Sequence, residues 1–196
     1  MIDFSLNEAE TLAAKVARGA GFSWGLAEDI GRAARGLARR ERNWAEALRA
    51  LAESCSGFAA PSLDRVGRWR RGKPDLAGPA PLCPIRTAAV LSDGVRLPEG
   101  GELLIRHVGL PIWLTAMLDA TASQSFTLRA PPAATLHAGD VTIVAGTASE
   151  EPIPARRAQI DGEALTALLA VAERTYVPES ERSRARGAGG GSVDDE

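Results

Sequence analysis

The stretch SLNEAETLAAKVARGAG, residues 5–21, decides how this chain begins to fold. Ser5 and Glu8 have the spacing of a capping box, in which each end of the first helical turn satisfies the other's backbone N–H. Ala9, Leu12, Ala13, Val16, Ala17 and Ala20 recur at i, i+3 and i+4, which predicts a helix with one buried face. Glu8, Thr11, Lys15 and Arg18 form a second, polar stripe. Gly19-Ala20-Gly21 closes the helix, because glycine takes left-handed cap geometry at low cost.

Working outward, Ser23 is placed to cap a second helix with Ala27, Ile30, Ala34 and Leu37 inward. Glu28, Arg32, Arg35 and Arg39 lie along another face, with Glu28 and Arg32 spaced for an ion pair. Trp24 opens this helix and is expected to pack as a staple against its neighbour. Asn43 and Glu46 repeat the cap signal before a third helix that buries Trp44, Ala47, Leu48 and Leu51. Short connections between them predict a helical bundle over residues 1–56.

The pattern breaks near Ser56. Residues 57–84 carry Pro61, Pro74, Pro79, Pro81 and Pro84, which predicts a long irregular connection with one helical turn near Ser62–Trp69. Such a length suits an excursion or an insertion. Residues 85–178 change period. Leu103–Val108, Ser125–Leu128, Val141–Ala145 and Ala155–Ile160 read as strands, and His137–Asp140 reads as a hairpin turn. Ile112–Leu118 is a strand or a short helix, which periodicity does not decide. Asp161 caps a last helix with Leu165, Leu168, Leu169, Ala172 and Tyr176 on one face, and Pro178 stops it. Residues 179–196 are charged and glycine-rich and are expected to form a flexible tail. The expected class is α+β: a helical bundle beside a small, mostly antiparallel sheet, with the C-terminal helix covering that sheet.

These motifs resemble an uncharacterised bacterial family, a domain of unknown function. The resemblance rests on Ser5-Leu6-Asn7-Glu8, on Gly19-Ala20-Gly21 with Trp24-Gly25-Leu26-Ala27-Glu28, and on Leu82-Cys83-Pro84. Arg174-Thr175-Tyr176-Val177-Pro178, Ser183-Arg184 and Gly187-Ala188-Gly189 extend it to the C-terminal end, and the acidic Asp194-Asp195 is similar too. It implies no established activity, cofactor or catalytic residue. The opening helix–Gly-x-Gly–helix alone is also similar to the first helices of malate/lactate-type dehydrogenases, and no further motif of that family follows.

Of the 196 residues, 45% are hydrophobic and 24% charged, an ordinary globular balance that excludes a disordered chain. The net charge of −2 excludes a strongly basic or acidic protein, yet it hides a +4 balance over residues 1–73 and −6 over residues 74–196. Arginine outnumbers lysine 21 to 2, a bias that GC-rich codons explain as well as function does. Cys55 and Cys83 are the two cysteines, so neither a disulfide framework nor a CxxC metal knuckle is expected. No apolar run is long enough for a bilayer and no secretory signal is visible, so a cytoplasmic protein without membrane contact is the expectation.

Chemistry-bearing residues are sparse. Cys83 could act as a thiolate with His107 or His137 as base and Arg106 nearby, although packing is the commoner fate of such a cysteine. His107 and His137 do not form a metal-ligand spacing. The Gly19–Gly21 turn follows no strand, and the tail glycines lack a P-loop lysine, so no cofactor or phosphate cradle is expected. Arg32 and Arg35 would face DNA if the first two helices were a helix-turn-helix, but Glu28 and Asp29 occupy the turn that would read bases. Arg65–Lys73, with Trp69 interleaved, is more simply a solvated basic loop than a nucleic-acid grip. What remains is a protein partner. The residues expected to meet it are Trp24, Arg174, Tyr176, Pro178, Ser183, Arg184, Gly187, Gly189, Asp194 and Asp195. The leading expectation is a non-catalytic accessory protein of a metabolic enzyme. The alternatives are a small-molecule enzyme with its site between bundle and sheet, and a DNA-binding protein.

Overall fold

The computed structural model describes residues 1–60, 80–94, 97–122, 125–129, 136–146 and 157–176. A short strand, β1 (Ile2–Ser5), leads into α1 (Leu6–Gly19). The capping box forms as the sequence predicts: the Ser5 N–H donates to Glu8 Oε2 at 2.6 Å and the Glu8 N–H to Ser5 Oγ at 3.1 Å. Ala9, Leu12, Ala13, Val16 and Ala17 are buried. Gly21, at φ 98°, turns the chain into α2 (Trp24–Arg39), whose Ala27, Ile30, Ala34 and Leu37 also point inward. Asn43 accepts from the Glu46 N–H at 3.3 Å and starts α3 (Trp44–Ser54).

The first unforeseen helix is α4 (Pro84–Gly94). Its signals are local: proline at the first helical position and Ile85, Ala88 and Leu91 buried on one face. Leu82 joins the two ends of the preceding connection to the sheet, bridging Ala59 and also Val108. The helical turn expected near Ser62–Trp69 and the basic run Arg65–Lys73 lie outside the described residues.

β2 (Glu102–Val108), β4 (Gly139–Ala145) and β3 (Phe126–Arg129) form an antiparallel sheet in that order, with Leu103↔Ile143 and Leu128↔Ile143 in register. Leu103, Ile105, Val108, Val141 and Ile143 are buried. A bulge between Ile105 and Val108 places His107 at φ 53°, where Asp140 Oδ1 accepts its N–H at 2.9 Å. The turn expected at His137–Asp140 is corrected here. Gly139 and Asp140 belong to β4, and Gly139 pairs with Val108.

Ile112–Leu118 resolves as helix, within α5 (Pro111–Thr121). Pro111, Trp113, Leu114, Ala116, Met117 and Leu118 are all buried. Over Ile112–Leu118 only Thr115 is polar, so the stretch has almost no amphipathic period, which is why its pattern is ambiguous. It packs against α2, α4 and β3, and the Trp113 indole donates to the Ala47 carbonyl at 2.8 Å. Arg40, just past α2, pairs with Asp119 at 3.1 Å, although burial pushes that carboxyl above its ordinary range.

β5 (Arg157–Ile160) does not join the larger sheet. It pairs antiparallel with β1, Ile2 opposite Ile160 and Ser5 opposite Arg157. Trp44 donates its indole N–H to the Gln159 carbonyl at 3.1 Å. Asp161 then caps α6 (Gly162–Ala172), accepting from the Glu163 N–H at 3.0 Å and the Ala164 N–H at 3.3 Å. The expectation that this helix covers the sheet is overturned: α6 lies on α1 and α3. The cause is the β1–β5 pairing, which carries the late chain back to the bundle. The fold is α+β, with six helices and two antiparallel sheets among the described residues.

Candidate functional site

The end of α1 packs tightly against the end of α6. A Cβ on Gly19 would overlap the Val171 carbonyl oxygen and stand 2.8 Å from its carbon. From this crossing the two helices leave an open groove between them, of about 300 Å³. Phe4 lines it from β1, Asn7, Glu8, Thr11, Leu12 and Lys15 from α1, and Leu169, Ala172 and Tyr176 from the C-terminal side. Phe4 is fixed by an edge contact with Trp44, ring centroids 6.5 Å apart. Tyr176 follows a single 3-10 turn, Glu173–Thr175, and its N–H donates to the Glu173 carbonyl at 3.0 Å.

The groove wall is unusual in being apolar yet wet. Leu168 and Ala172 reach the core, whereas Leu169 is 45% exposed and Tyr176 60% exposed. Its ionisable groups are Glu8, Lys15 and Tyr176. The Ser5 backbone N–H, then the Ser5 hydroxyl, hold the Glu8 carboxyl below the usual carboxylate range. This lining suits apolar contact with a charged rim.

The residues singled out by sequence fall in different places. Tyr176 lines the groove, and Arg174 is exposed on the 3-10 turn just before it. Pro178, Ser183, Arg184, Gly187, Gly189, Asp194 and Asp195 lie outside the described residues. Trp24, just past the C-terminal end of α1, does not line the groove, and its expected packing role is corrected. It is 70% exposed, because Phe22 takes the buried position beside the Gly21 turn, and the Arg18 guanidinium stacks over the indole 4.4 Å from its centroid. Of the groove residues the partner reading had only Tyr176; those it missed include members of stripes already visible, Lys15 with Glu8 and Thr11, and Leu169 with Ala172 and Tyr176.

The rival constellations are not assembled. Cys83 is buried, and that burial pushes its thiol up, against the thiolate a nucleophile needs. His107 runs alongside, its carbonyl accepting the Leu82 N–H at 2.8 Å, but its side chain is exposed. Arg106 and His137 are exposed as well. On α2, Arg32 pairs with Asp29 rather than with Glu28, and Arg35 reaches Glu10 on α1 at 3.1 Å. Among the described residues no group of His, Cys, Asp and Glu is arranged to hold a metal, and no helix is long and apolar enough to cross a membrane.

Residues 4–83 match a family described as protein of unknown function (DUF3726). The resemblance to a domain-of-unknown-function family is confirmed over that span. The matched residues contain one wall of the groove, Phe4 to Lys15; the other wall, Leu169 to Tyr176, lies outside them. No curated protein and no solved structure matches the chain.

Proposed function

We propose that this chain is a non-catalytic partner-binding protein, an accessory to a metabolic enzyme, that docks through its C-terminal region at the α1–α6 groove. The observation that carries the reading is the pair Leu169 and Tyr176, left open to water on one wall of a groove whose floor is apolar. Exposed apolar side chains grouped beside polar ones mark sites of interaction, protein contacts among them. Tyrosine is enriched at the energetic centres of such contacts. The sequence adds Pro178, Ser183, Arg184, Gly187, Gly189, Asp194 and Asp195 as further docking residues. We place the protein in the cytoplasm, where the free thiols of Cys55 and Cys83 stay reduced.

The DNA-binding alternative is weakened by the engagement of Arg32 and Arg35 with acidic neighbours. The enzyme alternative is weakened by the burial of Cys83. A photo-crosslinking residue in place of Leu169, expressed in the source cell, tests the docking reading. A control carries the same residue in place of the exposed Glu28 on α2. One protein captured from position 169 and not from 28, and bound about tenfold more weakly by Tyr176→Ala when purified, supports it. Identical capture at both positions, or none at 169, refutes it.

A further inference from the structure

The groove has a charge order as well as an apolar wall, and that order narrows what fits. α1 carries four charged side chains, Glu8, Glu10, Lys15 and Arg18. Glu8 is engaged in the capping box, Glu10 pairs with Arg35 at 3.1 Å, and Arg18 stacks on Trp24. Lys15 is exposed, and none of the described carboxylates pairs with it. It lines the groove two helical turns beyond Glu8, about 10 Å along the axis. The carboxylate end of the groove is therefore occupied by the helix cap, while the ammonium end is free.

Resting on the docking reading above, we propose that the groove binds an apolar peptide segment of the partner that carries an acidic group at one end. The apolar part lies along Leu12, Leu169 and Tyr176. The acidic group meets the Lys15 ammonium. Glu8, at the opposite end, sets the orientation by repelling a carboxylate there. An extended segment advances at most about 3.5 Å per residue, so about three residues bridge the two ends.

Short end-blocked, fluorescein-labelled peptides with a common leucine-rich core, flanked on one side by glutamates, glutamines or lysines, test the proposal by anisotropy with the full chain. The glutamate peptide is expected to bind about tenfold more tightly than the lysine peptide. Lys15→Glu reverses that order, and Leu169→Arg abolishes binding of all three; both sites are exposed, and thermal melts verify that each variant is folded. Equal affinity for the three peptides, no binding of any, or an order unchanged by Lys15→Glu overturns the proposal. So does glutamate-peptide binding that appears only after residues 177–196 are removed, which assigns the groove to the chain's own end. A concentration-dependent dimer abolished by Leu169→Arg likewise overturns it, in favour of a second copy. Capture of one protein at position 169 without a charge preference among the peptides refutes the acidic segment and leaves the docking reading standing.

Discussion

Gly19→Ala is the substitution whose effect follows most directly from the packing. In an unencumbered helix the change favours folding, because alanine exceeds glycine in helix propensity by about 0.8–1.0 kcal/mol. At Gly19 the added methyl overlaps the Val171 carbonyl oxygen, comes within 2.8 Å of its carbon and within 3.4 Å of the Ala172 Cα. All three atoms are backbone, so no side chain can rotate away and α6 itself must move off α1. Overpacking of this kind costs about 1–3 kcal/mol, and a rigid backbone obstacle places this site at the upper end. Gly19 is the last residue of α1, so the interior propensity is an upper bound on the gain, and subtracting it leaves a net loss of about 2 kcal/mol. For a domain of this size that is a fall of roughly 4–8 °C in Tm. Urea unfolding followed by circular dichroism measures it, with Gly25→Ala as the control, since a Cβ on Gly25 meets nothing within 4 Å. Gly19→Ala at or above wild-type stability, with Gly25→Ala behaving alike, would show that α1 and α6 do not cross as closely as described.

Ser5→Ala removes the capping hydroxyl and is expected to cost about 1 kcal/mol in the same assay. Glu8 is held below its ordinary value of 4.5 by Ser5, so its contribution is complete above about pH 4.5 and is lost as the pH falls through the lowered value. Glu8→Gln should flatten the acid limb of a stability–pH curve, and an unchanged limb contradicts the capping account. Trp113→Phe removes the 2.8 Å bond to the Ala47 carbonyl, which keeps its place in the α3 ladder, and should lower the urea-derived stability by about 0.5–1.5 kcal/mol for that bond. Trp24→Phe, at an exposed site, should change it by less than about 1 kcal/mol. Cys83 should resist a thiol reagent such as dithionitrobenzoate in the native protein and react on unfolding; rapid native labelling at Cys83 would contradict its burial.

What the sequence made legible was local. The caps at Ser5, Asn43 and Asp161 are written within three or four residues, and each forms as expected. α5 was not legible because Ile112–Leu118 is apolar but for Thr115, which erases the period that separates helix from strand. β1 was missed for a different reason. It is four residues long, its exposed Ile2 gives no alternation, and its partner lies some 155 positions away. The groove shares that difficulty. Its two walls were visible as separate stripes, yet it takes the packing of α6 on α1, with Gly19 against Val171, to bring Lys15 and Leu169 to one surface. Trp24 shows the limit of reading burial from hydrophobicity, since Arg18 gives the ring a partner that leaves it in water.

The pairing of β1 with β5 has a consequence for the order in which the protein is made. The four-residue β1 leaves the ribosome without a partner until residues 157–160 follow. Trp44 likewise waits for the Gln159 carbonyl, and α1 waits for α6. The family-matched span, residues 4–83, is thus synthesised with a face of its bundle open. Closing it needs contacts of large sequence separation, which slow the search for the native state. Nascent chains arrested before residue 157 should accordingly be far more sensitive to protease near Phe4 and Trp44 than chains released whole.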